Sequence, residues 1–364
     1  MSSISSSNGT TTQSQFVGIG DLHLDGRLQK YLPPGVDLNE YIIDEVRLVL
    51  TKALKNGVRL AVFYGDIGDK PHLSYRAHML LIDLIREFAD TFKFLFLMGN
   101  HDFLNREVTG LDLLVHMRLP NAKFVTKTPK VFFSDSDHPL MLHPWPHYKD
   151  VMFDGACNVL HIETKGSMMD SGRASPTDVT IDPKAFWVAG HLHTNHMNYS
   201  GTIYQTSFGE KPEKFFHIVD RVNRKIKSVP HKPKYTLANV VIETAEDLRT
   251  LIPSDPTTLV KLFIKSKVVV PPELLDKYPN VVKHNSFQTK QELQALVMED
   301  FVIDDVSGSA NFDVDIALTD WLDSEKVEPS LRKRVLRLNK EMMSNTKGSD
   351  TDNKTQKERE TEYG

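Results

Sequence analysis

Phe16-Val17-Gly18-Ile19-Gly20-Asp21-Leu22-His23 decides the fold. A short apolar run that ends in glycine and then in residues able to ligate a metal reads as a β-strand with its chemistry on the loop beyond. The pattern returns twice: Leu60 to Tyr64 runs into Gly65-Asp66-Ile67-Gly68-Asp69, and Phe92 to Met98 into Gly99-Asn100-His101-Asp102. Between these strands, Glu40 to Leu54 carries Ile42, Ile43, Val46, Val49, Leu50 and Leu54 at helical spacing and closes on Asn56-Gly57. Ser74 to Phe88 repeats the helical pattern. Strand-helix-strand-helix-strand is a layered α/β unit, and Phe92 to Met98 is apolar enough to be covered on both faces.

After Leu119-Pro120 the pattern changes to short strands at Val131 to Phe133, Leu140 to Leu142, Asn158 to Ile162, Phe186 to Ala189, Ile203 to Gln205 and Lys214 to Val219. The fold class expected is α/β (α+β): two stacked mixed β-sheets flanked by helices, with a smaller C-terminal α+β domain. Residues 16–231 form the main domain and 232–343 a capping and partner-binding region, with a strand at Leu259 to Ile264 and a helix at Lys290 to Met298. Residues 1–15 and 344–364 are polar and read as disordered. Met168 to Asp182 reads as a mobile polar loop bordering the substrate entrance. From Leu331 to Met343 an apolar stripe of Leu331, Val335, Leu338 and Met342 shares a helix with Arg332, Lys333, Arg334, Arg337 and Lys340.

With 364 residues and 40% hydrophobic content the chain can bury a substantial core. No apolar run reaches the roughly 20 residues of a membrane span, and Met1 to Gln15 lacks a secretion signal, so no membrane association is expected. The single Cys157 excludes an internal disulfide and suits a reducing compartment, the cytoplasm. A net charge of -4 does not describe a protein that grips nucleic acid with its whole surface, so any DNA contact must be local.

The polar blocks supply that local chemistry. Two divalent cations side by side need oxygen and imidazole ligands and a bridging carboxylate. Asp66 is the natural bridge; Asp21 and His23 leave the first strand one residue apart, His191 and His193 repeat that spacing in Gly190-His191-Leu192-His193, Asn100 offers an amide oxygen, and His161 ends a strand of its own. His143, beside Pro144-Trp145-Pro146, competes with His161, and that loop reads as structural or substrate-facing. With only Asp21 and Asp66 anionic, two dications leave the site positive by about two charges, which a phosphodiester balances, and they acidify a bridging water to give a hydroxide for in-line attack. His101 is best kept as a proton donor to the phosphoryl or leaving oxygen, its ring oriented by Asp69 or Asp102. A lone Asp-x-His is commonplace; the ordered set is not.

At Asp21 and His23, Asp66, Asn100 with His101, His161, and His191 with His193, the chain resembles the calcineurin-like metallophosphoesterases. Within that superfamily it looks most like the SbcD-type DNA repair and recombination nucleases, especially their phage counterparts, through the Pro-Trp loop and the segment from Gly201 to Glu210 that leads into Lys214 to Asp220. The resemblance covers residues 16–220. It implies Asp69 as the acid that orients His101, and two Mn2+ ions, or Mg2+, as cofactors of an exonuclease and endonuclease subunit. It also implies a homodimer acting on DNA with an SbcC-type SMC-like ATPase, whose coiled coil the helix from Leu331 to Met343 would contact; for a phage-encoded chain the compartment is the host cytoplasm. Gly68 departs from the pattern, where such nucleases often carry an aromatic residue. The competing expectations are a phosphomonoesterase, such as a protein phosphatase, or a small-substrate phosphodiesterase on the same metal core, and a non-catalytic scaffold.

Overall fold

The computed structural model of the protein describes residues 14–104, 108–146, 155–169, 172–271, 273 and 277–298. The first three expected strands are β1 (Gln15–Ile19), β2 (Leu60–Phe63) and β3 (Lys93–Leu97), joined through α1 (Leu38–Lys55) and α2 (Tyr75–Glu87). Asp37 caps α1, its carboxylate accepting the Glu40 N–H at 2.8 Å, and the Ser74 hydroxyl caps α2 by accepting the Ala77 N–H at 3.1 Å. A short helix α3 (Asp112–Met117) precedes β4 (Ala122–Val125), which extends the parallel run β1-β2-β3-β4. β9 (Lys214–Asp220) pairs antiparallel to β1 and β10 (Lys225–His231) antiparallel to β9, completing a six-stranded sheet.

A second sheet is built from β5 (Lys130–Phe132), β6 (Leu140–His143), β7 (Cys157–His161) and β8 (Phe186–Gly190), with β6, β7 and β8 parallel. Strand alternation explains the stacking. Phe16, Leu60, Val62, Leu95, Leu97 and Val219 face Leu140, Leu142, Val159 and Val188 in one core. The intervening residues Val17, Ile19, Phe63, Phe94 and Phe96 pack with Ile42, Val46, Val49, Leu81 and Ile85 of the helices in another. Phe63, Phe96 and Phe124 form a stacked ladder across β2, β3 and β4, with centroids 4.4 and 4.7 Å apart. Burying each such side chain contributes about 1.5–3 kcal/mol. β3 is thus covered on both faces, as its composition requires.

Beyond residue 231 a small parallel sheet, β11 (Thr236–Ile242), β12 (Thr258–Lys265) and β13 (Val281–Phe287), carries α4 (Asp247–Thr250) and α5 (Lys290–Met298). It has a core of its own in Ile242, Leu248, Ile252, Val260, Leu262 and Ile264, while Tyr235, Leu237 and Leu259 join the helix-side core. All described residues fall in one compact unit. The segment Ile203 to Gln205 is not a strand. Its polar groups are taken up by side chains instead: Gln205 donates to Glu210 O at 2.9 Å and Leu237 O at 3.1 Å and accepts Leu237 N–H at 2.8 Å, clasping β11. The helix expected from Leu331 to Met343 and both polar termini lie outside the described residues, apart from Ser14 and Gln15. Among the described residues no helix is long and apolar enough to cross a membrane.

Candidate metal centre

β1, β2, β3, β7 and β8 all deliver their carboxyl ends to one edge of the two sheets, where open α/β sheets hold ligands. The loops there are fastened to one another by main chain. Leu22 and His23 both donate their N–H to Asp66 O, at 2.9 and 3.0 Å, and Leu24 and Asp69 continue the ladder with Ile67 and Leu24 carbonyls at 3.0 and 2.9 Å. His23, Asp66 and His191 adopt positive φ values of 48°, 48° and 88°. For residues other than glycine this backbone costs about 1 kcal/mol or more each and turns each side chain inward. Gly99 is required by the same crowding, since a Cβ there would stand 2.1 Å from Asp66 Oδ1.

Two groups converge whose side chains can hold a metal ion: Asp66, His161 and His191, and His23, Asp69 and His101. In the first group the outer ring nitrogens are committed. His161 Nδ1–H donates to Tyr64 O at 2.8 Å, and His191 Nε2–H to Glu163 Oε1 at 3.0 Å. The inner nitrogens therefore carry lone pairs in the neutral rings, yet both face Asn100 Oδ1, at 2.8 and 3.0 Å, and His161 Nε2 also lies 3.1 Å from Asp66 Oδ2. Asn100 turns its oxygen inward and leaves Nδ2 buried without a hydrogen-bond partner. With the rings neutral, these acceptors converge on a position that a cation satisfies, either a metal ion or a proton on His161, and histidines that donate their far N–H to a carbonyl and a carboxylate are the arrangement of metal ligands. Burial favours neutral His161, but Asp66 outweighs it and pushes the ring up to about 9. Burial likewise raises Asp66, but the charge on His161, with His101 and His23, holds it well below the usual carboxylate range.

Asp66 reaches the second group through its other oxygen, which accepts the His101 N–H at 2.9 Å. His23 Nε2 and His193 Nε2 stand 3.0 Å apart, and His193 Nδ1 is held by Glu210 Oε1 at 3.0 Å. Glu210 is in turn paired with Lys214; burial raises its carboxyl, while Lys214 and His193 together drive it far below its ordinary value. His23 Nδ1 lies 3.5 Å from Asp69 Oδ1, and although burial lowers this ring, Asp69 leads the groups that raise it.

Asp21 and His193 stand beside the two groups rather than in them: the Asp21 carboxylate accepts the His191 N–H at 3.0 Å from each oxygen and lies 3.4 Å from His161 Nδ1. His101 is oriented by Asp69, but through the main chain, His101 Nδ1–H donating to Asp69 O at 2.9 Å. The Asp69 carboxylate is instead turned toward His23. Asp102 has a structural task, accepting N–H groups of Ile67, Gly68 and Gly99 at 3.2, 2.9 and 3.0 Å, with burial and the Asp66 charge raising it to about 7. The Gly68 departure follows from this loop, where a Cβ would meet Lys70 O at 2.8 Å. His143 is buried and belongs to neither group, its Nε2–H donating to Asn158 Oδ1 at 2.9 Å. Trp145 buttresses the centre: its N–H donates to Met98 O at 3.1 Å and its ring packs edge-on against Phe103.

Glu163 and Glu210 have no place in the sequence reading of the centre, although each supports a histidine from outside. Glu163 follows His161 by two positions, the same spacing as Asp21-His23 and His191-His193, which is the signal available for it. Ser175, from the polar loop between β7 and β8, donates to Glu163 Oε2 at 2.5 Å and ties that loop to the centre. The chain matches no protein-family model and no curated protein, so the likeness to metallophosphoesterases rests on these residues themselves.

Proposed function

We propose that the chain is a metal-dependent phosphodiesterase acting on DNA, the nuclease subunit of a repair or recombination complex of the SbcC/SbcD kind. The observation that carries this reading is the convergence of the two His and Asp groups beside Asp66, with His101, His161, His191 and His193 each held by an acceptor. Asp66, Asn100, His161 and His191 would hold one divalent cation, and His23 and Asp69 a second, with Asp21 and His193 beside them. Bound there, a pair of Mn2+ or Mg2+ ions supplies Lewis acidity toward a phosphoryl group and acidifies water near neutral pH. His101 keeps the role of proton donor to the phosphoryl or leaving oxygen, because the Asp69 carbonyl fixes the proton on Nδ1 and leaves Nε2 as the atom that gives or takes one. The His23 and His101 ring centroids lie 4.9 Å apart, which supports that exchange beside the second group. The homodimer and the ATPase partner follow from the resemblance; the basic helix that would contact the ATPase lies outside the described residues.

The test restores manganese to metal-stripped protein and compares end-labelled duplex DNA, single-stranded DNA and a small aryl phosphate. Manganese-dependent shortening of DNA that disappears in His101→Ala is the expected result. Efficient aryl phosphate turnover with untouched DNA would transfer the protein to the phosphomonoesterase reading, and inactivity on all three to the scaffold.

A further inference from the structure

A run of buried polar groups leads away from the His23 side of the centre and ends on the C-terminal sheet. Gln205 is buried at its middle and spends its whole amide on main chain. The side-chain oxygen accepts Leu237 N–H at 2.8 Å, and Nε2 donates to Leu237 O at 3.1 Å and to Glu210 O at 2.9 Å. β11 is the terminal strand of its sheet, where main-chain groups need partners, and at Leu237 the Gln205 amide stands in for a neighbouring strand. Two residues along β11, Asn239 Nδ2 donates to Phe208 O at 3.0 Å, a second tie between the same segments.

Glu210 is the other end of the clasp. Its carboxylate is buried and fully engaged: Oε1 accepts His193 Nδ1–H at 3.0 Å and Thr206 N–H at 3.1 Å, and Oε2 accepts from Lys214 Nζ, which also donates to Thr202 Oγ1 at 2.9 Å. A buried network with its members satisfied is rigid, because any displacement strands a donor or an acceptor away from water. His193 Nε2 in turn stands 3.0 Å from His23 Nε2, in the second group. Leu237, Gln205, Glu210, His193 and His23 thus form a line from sheet edge to centre through contacts of 2.8, 2.9, 3.0 and 3.0 Å.

We propose that Gln205 is a positioning residue of the centre: anchored on β11, it fixes the main chain at Glu210, and Glu210 fixes the ring of His193 against His23. The C-terminal sheet is then a working part of the centre rather than an appendage. The proposal rests on the metal-centre reading and names what holds its His193 side in place.

NMR of the metal-free full chain labelled with 15N at histidine, together with manganese titration by dye competition, tests it. In the wild type the His193 Nδ1–H signal, identified by its absence in His193→Gln, should be protected from exchange with water by Glu210. Gln205→Leu should broaden that signal beyond detection and weaken the second manganese about tenfold, the lower end for a group behind a ligand, while the first binds as in the wild type. Gln205→Glu keeps the acceptor for Leu237 N–H but loses both donors; it should act alike, and it serves alone if Gln205→Leu fails to fold. Val260→Ala, in the core of the small sheet, controls for lost stability: it should lower the urea midpoint and leave the signal and the second manganese unchanged. An unmoved His193 signal or second site in the Gln205 variants, equal weakening of both manganese ions, or the same changes in Val260→Ala would overturn the positioning role. If the wild type takes up no manganese, the metal reading falls, and the NMR comparison alone decides whether Gln205 positions His193.

Discussion

The two halves of the candidate metal centre are built from the same residue types and differ in exposure. Asp66 and His161 are buried and His191 half-buried, whereas in the other group His23 is buried but Asp69 and His101 are both half-buried. The inner group is locked from behind by Tyr64 O and Glu163, and its open valence faces other ligands; the outer group borders a recess. A cation held in the first would be a fixture of the site, and one held in the second would meet what enters. The difference teaches that similar donor sets divide into a holding and a handling role according to what lies behind and in front of them.

Replacing Asp66 strikes both halves at once and carries the largest expected effect. Asp66→Ala should reduce manganese-dependent DNA hydrolysis by about a thousandfold or more, since a carboxylate that would hold the metal and the His161 counter-charge are lost together. Retention of a tenth of wild-type turnover would break the division outright. His101→Ala touches only the handling half: turnover should fall by at least ~100-fold while calorimetry still counts the same manganese ions. Loss of metal along with turnover would recast His101 as a ligand. Glu163→Gln probes the holding half from outside, and a dye-competition titration should find metal affinity lowered by about 10–100-fold at one site only.

The smallest effect serves as a control away from the metals. His217, on β9, is buried and lowered by that burial to about 4. Unfolded, it titrates near 6.5, so between those values the unfolded chain binds the extra proton and stability falls as pH drops. From pH 7 to pH 5.5 this costs about 1 kcal/mol. Urea denaturation of metal-free protein should show that loss, and His217→Gln should flatten the slope by the same amount; an unchanged slope would move the acid sensitivity to another group.

Much of this was legible in the chain because strand and ligand come in single blocks. An apolar run, a glycine and a polar pair at β1, β2 and β3 announce both the sheet and the residues on its loops, and α1 and α2 show an unbroken apolar period. β4, β10, β11 and β13 escaped because they mix apolar residues with lysines, asparagines, serines or threonines, as in Val281–Phe287, and gain strand character only from neighbours far along the chain. Ile203 to Gln205 reads as a strand by composition, but Gln205 spends its amide across the sequence gap to Leu237. Glu163 shows only its two-residue spacing from His161 and Glu210 is a single acid, and their task exists only once His191 and His193 are folded against them. Which part of Asp69 would hold His101 could not be read either, since carbonyl and carboxylate belong to the same letter.

The left-handed backbone at His23, Asp66 and His191 has a corollary. Glycine adopts that conformation without strain, so exchanging any of these ligands for glycine relieves about 1 kcal/mol locally while discarding the donor atom. The same exchange also gives up the Asp66 contacts with His101 and His161 or the His191 contact with Glu163, so backbone strain and side-chain bonding pull in opposite directions at the very residues that form the candidate centre.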